Sequence, residues 1–162
     1  KHRNVHIHAE ALCNHVGTSS FEYCAHNPSY SGFRRRSDVP GRGSWHTLTV
    51  ETVRLDILDV PRLDLLKIDV EGAELGVLQG AVETIRRCRP HIIFEHGIGA
   101  SDLYGTGPDD IYGLLEGCRM RITLMASWLG SAGQKWLSHR DFQEQYHGRL
   151  NFMFMAVPCE KG

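Results

Sequence analysis

Residues 63–80 read Leu-Asp-Leu-Leu-Lys-Ile-Asp-Val-Glu-Gly-Ala-Glu-Leu-Gly-Val-Leu-Gln-Gly, and this stretch decides the fold. Its first half is an apolar run that stops at a cluster of ionisable side chains, and a helical pattern begins directly after the cluster. This order predicts a strand, a tight charged turn and a helix. Ligands of open α/β sheets bind beyond the carboxyl ends of the strands, so Asp69 and Glu71 are the first candidates for chemistry.

The predicted strand, about residues 63–69, is apolar on both faces, which is typical of a central strand covered by helices on each side. The predicted helix runs from about residue 72 to residue 87, because apolar residues recur at spacings of three and four. Acidic residues at its start and arginines at its end match the helix dipole, and Pro90 prevents its continuation. We therefore expect an α/β fold.

The sequence downstream predicts a second strand with an acid at its end. His91-Ile-Ile-Phe-Glu-His is a short apolar run that ends at Glu95 and His96. The strand, helix and strand form a βαβ unit, which brings the acids to one edge of the sheet. The rest of the prediction has four parts: a helix from Pro108 to about Gly117, a strand at 121–125, a polar insertion at 128–145 with helical character near Asp141, and a last strand at 151–158. That last strand could pair antiparallel with its neighbour.

Upstream, the pattern predicts three strands. Residues 4–12 alternate as in a half-buried strand, residues 20–23 are predicted as the second strand of a hairpin, and residues 48–53 are rich in β-branched side chains. One turn of helix is expected at 55–58. The histidines at 2, 6 and 8 could bind a metal, but a solvent-facing row is favoured because no third-ligand spacing recurs nearby.

Residues 26–46 have no periodicity and are predicted to form a loop rich in arginine. Arg34, Arg35, Arg36 and Arg42 could clamp a phosphate or carboxylate of a substrate. A solvated loop is the favoured interpretation, because no aromatic residue or helix terminus frames these arginines in the sequence.

Composition excludes several classes of protein. The chain has 162 residues, 41% hydrophobic and 23% charged, with a net charge of −1, which suits one globular domain over residues 1–162 and neither disorder nor a basic nucleic-acid surface. Five cysteines without a Cys-x-x-Cys spacing favour reduced thiols and a cytoplasmic protein. No long apolar run or leader predicts a membrane span or signal peptide. The opening Lys-His-Arg-Asn lies just before a predicted strand, so we interpret the sequence as part of a longer chain.

The ionisable side chains around the turn permit more than one role. A carboxylate at a strand end can accept hydrogen bonds from a ligand, act as a general base or hold a hard cation, and spacing does not choose among these roles. A purely structural role is equally possible for Glu71 and Glu74, because acidic side chains at a helix start stabilise the helix. Asp69 is harder to explain structurally, because the end of a buried strand is an expensive place for an unused carboxylate.

These residues resemble a known family. One series of motifs is similar to the signature of the FkbM family of S-adenosylmethionine-dependent methyltransferases. It consists of Lys67-Ile-Asp-Val-Glu-Gly-Ala-Glu, Leu78-x-Gly80-Ala81, Arg89-Pro90 and Ile93-Phe94-Glu95. Upstream segments of that family are resembled, in the same order, by Asn4-Val5, Ala11-Leu12, Gly17 and Val53-Arg-Leu-Asp56. The resemblance covers about residues 4–96.

The resemblance implies a Rossmann-like class I methyltransferase fold, with a seven-stranded sheet, helices on both faces and an antiparallel last strand. It implies O-methylation of a hydroxyl on a sugar or natural product, with S-adenosyl-L-methionine as cofactor and a small molecule or glycan as acceptor. By position in the motif, the catalytic set would be Asp69, Glu71 and Lys67. Glu95 and His96 would bind the acceptor, and Glu10, Ala11, Asn14 and Asp69 the cofactor, although the family often has Asp where this chain has Asn14.

The glycine-rich turn and the ribose-binding acid of this fold would precede Lys1. We therefore expect residues 1–162 to bind the cofactor poorly, and residues 4–10 to be displaced, re-paired or completed by another chain, with self-association through unpaired strand edges. Two alternatives stay open: a non-catalytic or degenerate domain that serves binding or assembly, and a metal-assisted enzyme that uses Asp69, Glu71 and Glu95 with a histidine.

Overall fold

The computed structural model describes residues 4–36, 44–130 and 135–159, which form two mixed β-sheets and five α-helices. The α/β class predicted from the sequence is therefore confirmed. Seven strands are present within these ranges, but they are divided between a three-stranded and a four-stranded sheet rather than joined in one. Both sheets contain parallel and antiparallel pairs.

The three-stranded sheet consists of β1 (Ala11–Leu12), β2 (Gly17–Cys24) and β3 (Trp45–Val53), in the order β1-β3-β2. The strands predicted at 20–23 and 48–53 are confirmed as parts of β2 and β3, which pair antiparallel from Gly17 opposite Thr52 to Cys24 opposite Trp45. Of the strand predicted at 4–12 only the end, Ala11–Leu12, is a strand, and it pairs with β3 rather than forming a hairpin with β2. Residues 4–10 are exposed and have no ladder partner among the described residues, which agrees with the expectation that this segment is displaced.

The four-stranded sheet consists of β4 (Leu65–Ile68), β5 (His91–Glu95), β6 (Met120–Leu124) and β7 (Met153–Pro158), in the order β4-β5-β7-β6. Strands β4 and β5 are parallel, and β7 is antiparallel to both of its neighbours, as predicted for the last strand. The expected central position of β4 is wrong. Within the described ranges it pairs only with β5, and Leu65 is consequently 54% exposed.

The helices are α1 (Glu74–Gln79), α2 (Val82–Cys88), α3 (Pro108–Gly117), α4 (Met125–Leu129) and α5 (His139–His147). The predicted helix from Pro108 is confirmed, and the predicted polar insertion at 128–145 contains the end of α4 and most of α5. No described helix is long and apolar enough to cross a membrane.

The single helix predicted at 72–87 is two helices, interrupted at Gly80 and Ala81, and Asp56 explains the interruption. The backbone N–H of Asp56 donates to the carbonyl oxygen of Gly80 at 2.9 Å. The Asp56 carboxylate accepts hydrogen bonds from the backbone N–H groups of Glu83, at 3.3 Å, and Thr84, at 2.8 Å. It thus caps the start of α2 from the 3₁₀ turn at Leu55–Ile57, the predicted turn of helix.

The main core lies between the four-stranded sheet and its helices. Phe94 of β5, Phe142 of α5 and Phe154 of β7 are fully buried, with ring centroids 5.7 Å apart for Phe94–Phe154 and 4.8 Å for Phe142–Phe154. Arg89 ends α2 in the left-handed conformation, and its guanidinium donates to the carbonyl oxygens of Cys118 and Cys159. Arg89 therefore links the end of α2 to the residues that lie just before β6 and just after β7.

The two sheets meet beside the charged turn. The Asn14 side-chain amide donates to the Gln79 side-chain oxygen at 2.7 Å, and the backbone of Cys13 packs directly against Gly80. On the other side, Gly32 approaches the Cβ atom of Glu71. These contacts hold the segments of the first sheet over the carboxyl ends of β4 and β5.

Candidate active site

The turn between β4 and α1 has an unusual backbone. Glu71 and Gly72 both have positive φ angles, 55° and 103°. A left-handed residue other than glycine costs about 1–2 kcal/mol, so the surrounding structure must hold it. Position 72 also needs glycine for space, because a Cβ atom there would meet the Ala100 carbonyl and lie 2.9 Å from the Tyr104 ring.

Glu74 stabilises this turn by accepting hydrogen bonds from its backbone. It is 2% exposed, and its Oε1 accepts hydrogen bonds from the backbone N–H groups of Gly72, at 3.0 Å, and Val70, at 3.3 Å. Burial raises the pKa of Glu74, and the negative charge of Glu71 adds to the rise. Glu74 therefore has a structural role at the start of α1, as one interpretation of the sequence allowed.

Asp69 and Lys67, both assigned to catalysis by the resemblance, form an ion pair at the end of β4. The Asp69 side chain is 39% exposed, because β4 is an edge strand within the described ranges. The argument that Asp69 occupies a buried strand end is therefore wrong, and its carboxylate already has a cationic partner.

Glu71 pairs with Arg36, one of the loop arginines that the sequence offered as a clamp for a substrate anion. Its Oε2 lies 2.8 Å from Nη1 of Arg36, and both side chains are largely buried. The Arg36 guanidinium also lies over the ring of Tyr30, 5.1 Å from its centroid. The signal for this residue was the arginine run itself, which the loop interpretation set aside.

Aromatic rings do frame the arginine run, contrary to the expectation from the sequence. Arg34 lies over Tyr104 at 5.7 Å and Arg35 over Trp45 at 5.2 Å, measured from guanidinium carbon to ring centroid. Tyr104 is distant in the sequence, so spacing could not reveal it. Arg42 lies outside the described residues.

Glu95 is the last residue of β5 and His96 follows it, and both line a cavity of about 210 Å³ beside the turn. Its remaining lining residues are Arg36, Gly72, Glu74, Gly97, Ile98, Ala100 and Phe152. Partial burial raises the pKa of Glu95, and the charges of Asp69, Glu71 and Glu74 raise it further. Within the described ranges no cationic side chain lies within 4.0 Å of the Glu95 carboxylate, whereas Asp69 and Glu71 are each paired with one.

His96 is 1% exposed, and neither ring nitrogen has a hydrogen-bond partner in the part of the chain that the structure describes. Its ring stacks on Tyr146 and Phe142, with centroids 4.7 Å and 5.9 Å away. Burial lowers the pKa of His96 from 6.5 to about 4, against the opposing charge of Asp110. The ring is therefore neutral at pH 7, and both of its nitrogens are enclosed by the protein.

This burial predicts a pH-dependent stability. The unfolded chain protonates His96 below pH 6.5 whereas the folded chain resists protonation until about pH 4, so stability is lost as the pH falls through this window. Between pH 7.5 and 5.5 the free energy of unfolding should fall by about 1 kcal/mol through His96 alone. Urea unfolding of wild type and His96→Phe at both pH values checks this, because the variant should lack that loss.

The matched control is His6→Gln at an exposed position, which should keep the wild-type pH dependence. An unchanged pH dependence in His96→Phe would contradict the assignment.

The residues predicted to bind the cofactor are not gathered in one place among the described residues. Glu10 lies on the exposed segment with its carboxylate 3.9 Å from His8, and Ala11 belongs to the β1 ladder. Asn14 lines a cavity of about 450 Å³ that does not include Asp69. This set does not by itself form a cradle for S-adenosylmethionine.

Among the described residues, no group of three or more His, Cys, Asp or Glu side chains is arranged to hold a metal ion. The Asp69, Glu71 and Glu95 carboxylates come to one edge of the sheet, but lysine and arginine neutralise the first two.

Comparison with known proteins agrees with the resemblance seen in the sequence. The family model described as the methyltransferase FkbM domain matches residues 2–122, which is most of the chain and includes β1 to β5. Searches of curated proteins and of solved structures gave no significant match. The chain belongs to the FkbM methyltransferase family.

Proposed function

We propose that the described residues form the acceptor side of an O-methyltransferase site, which acts on a hydroxyl of a sugar or natural product with S-adenosylmethionine as methyl donor. The observation that carries this proposal is Glu95. It is a carboxylate with a raised pKa at the carboxyl end of a parallel strand pair, and it lines a cavity that a hydroxyl-bearing group can enter.

Transfer of a methyl group to oxygen requires that the hydroxyl proton leave as the new C–O bond forms. A carboxylate with a raised pKa is the better base for this step, because its pKa is closer to the pH at which the enzyme works. Glu95 takes the proton. Asp69 and Glu71, which the sequence offered as base or orienting groups, are paired with Lys67 and Arg36 and have the orienting role.

The rest of the cavity suits the ring of a sugar or natural product. Phe152, exposed at the same cavity, presents an apolar face to such a ring. In enzymes of this family the cofactor supplies an electrophilic methyl group when bound. Positioning of the acceptor is then the principal contribution of these residues.

The test is transfer of a ¹³C-labelled methyl group from S-adenosylmethionine to a panel of sugars and hydroxylated natural products, followed by NMR. The proposal expects label on an oxygen, and label on nitrogen or carbon would contradict it. The Asp69→Asn variant should retain measurable turnover.

A non-catalytic binding module is the second candidate, favoured by the dispersed cofactor residues and by the two neutralised carboxylates. Titration calorimetry with S-adenosylmethionine separates the two. Binding followed by labelled product supports the enzyme, whereas acceptor binding without cofactor binding supports the module.

A further inference from the structure

The three consecutive arginines differ in what neutralises them. Arg35 pairs with Glu22 at 2.7 Å, and Arg36 pairs with Glu71 at 2.8 Å. Around the exposed Arg34 guanidinium, by contrast, no described carboxylate oxygen lies within 4.0 Å. Its position is nevertheless fixed, because its backbone N–H donates to the Tyr104 hydroxyl at 3.1 Å and its guanidinium lies over the Tyr104 ring.

Arg34 lines the cavity of about 450 Å³, where it is joined by groups that can donate hydrogen bonds. The lining residues whose side chains carry such groups include His15, Ser19, Ser20 and Thr106. No aspartate or glutamate is among the described residues that line it. A cation with several neutral donors and no competing carboxylate suits a negatively charged group.

The neighbouring cavity has the opposite character. Glu74 and Glu95 line the cavity of about 210 Å³, and both have raised pKa values because of burial. The two cavities adjoin the same turn, since Gly72 lines the acidic one and Ala73 the basic one. A ligand that spans the turn would place a hydroxyl near Glu95 and an anionic group near Arg34.

We propose that the larger cavity binds an anionic group, a carboxylate or a phosphate, of the methyl acceptor, with Arg34 as its cation. The acceptor is then a hydroxylated compound that also carries a negative charge, such as a sugar acid or a sugar phosphate. The identity of the ligand as acceptor rests on the proposed function, whereas the binding of the anion does not.

The experiment titrates the protein without cofactor with glucuronate, glucose 6-phosphate and glucose, and follows backbone amide NMR shifts. The two anionic sugars should shift the resonances of Ser19, Ser20 and Arg34, and glucose should not. Arg34→Gln should weaken anion binding by about tenfold or more, because a charge-assisted hydrogen bond is lost. Arg34→Lys should retain part of the binding, which shows that charge rather than folding is responsible.

Arg35→Gln is the matched control, since that guanidinium is already paired with Glu22 and does not line this cavity. Its binding should equal that of wild type. Equal binding of glucose and glucuronate, binding by none of the three sugars, or equal weakening by Arg34→Gln and Arg35→Gln would each overturn the proposal. Anion binding without methyl transfer in the labelling assay would overturn the proposed function and leave this site intact. A stronger effect of glucuronate or of glucose 6-phosphate identifies the anion as carboxylate or phosphate.

Discussion

Replacing Glu95 with glutamine is expected to lower kcat for methyl transfer by about 10²-fold or more, because loss of a general base typically costs 10²–10⁴-fold. Glutamine has nearly the same shape and can still contact a hydroxyl, so KM for the acceptor should change little. The measurement is steady-state kinetics with the acceptor that the labelling assay identifies.

The pH dependence distinguishes a base from a group that only positions the acceptor. Glu95 must be ionised to take a proton, and burial raises its pKa above the ordinary value of 4.5. Activity should therefore fall as the pH drops through that raised pKa, and Glu95→Gln should lack this acidic limb. A variant that loses activity but keeps the limb would show that another residue is the base.

Asp69→Asn serves as the comparison on the neighbouring strand. Its carboxylate is exposed and paired with Lys67, so the loss in kcat should be about tenfold or less. If Asp69→Asn instead caused the larger loss and removed the acidic limb, the base would be Asp69, as the sequence first indicated.

Local patterns predicted the parts of the fold that depend on neighbouring residues. The apolar runs that became β4 and β5 and the helix that begins at Pro108 were found from periodicity and terminal signals. The break at Gly80 was not, because Asp56 causes it from outside the helical stretch. The edge position of β4 also depends on which strands pair with it, which its own sequence does not encode.

The same division applies to the candidate site. The meeting of Asp69, Glu71 and Glu95 followed from parallel strands ending at one edge. The ion pair of Glu71 did not, because Arg36 reaches it from a loop 35 residues away. The framing of Arg34 likewise depends on Tyr104, which is 70 residues distant.

Gly80→Ala should destabilise the fold by about 2–3 kcal/mol, the range typical of an overpacked core, and lower Tm by roughly 5–10 °C in a chain of this length. The Gly80 backbone angles, φ −77° and ψ −2°, suit any residue, so conformational strain is not the cause. The cause is space: a Cβ atom at position 80 would collide with the carbonyl oxygen of Cys13. The Gly80 backbone cannot retreat easily, because its carbonyl oxygen accepts from Asp56 and its N–H donates to Gly76.

Gly113→Ala in α3 is the matched control, because the added methyl group would enter open space and alanine favours a helix. It should stabilise the protein by about 0.5–1 kcal/mol. Thermal and urea unfolding of both variants measure the difference. A Gly80→Ala protein as stable as wild type would show that the Cys13 backbone does not limit the space at the end of α1.

Since Cys13 and Asn14 line the larger cavity, a partly folded Gly80→Ala protein should also bind anionic sugars less tightly than Gly113→Ala, which connects the packing of the two sheets to the ligand site.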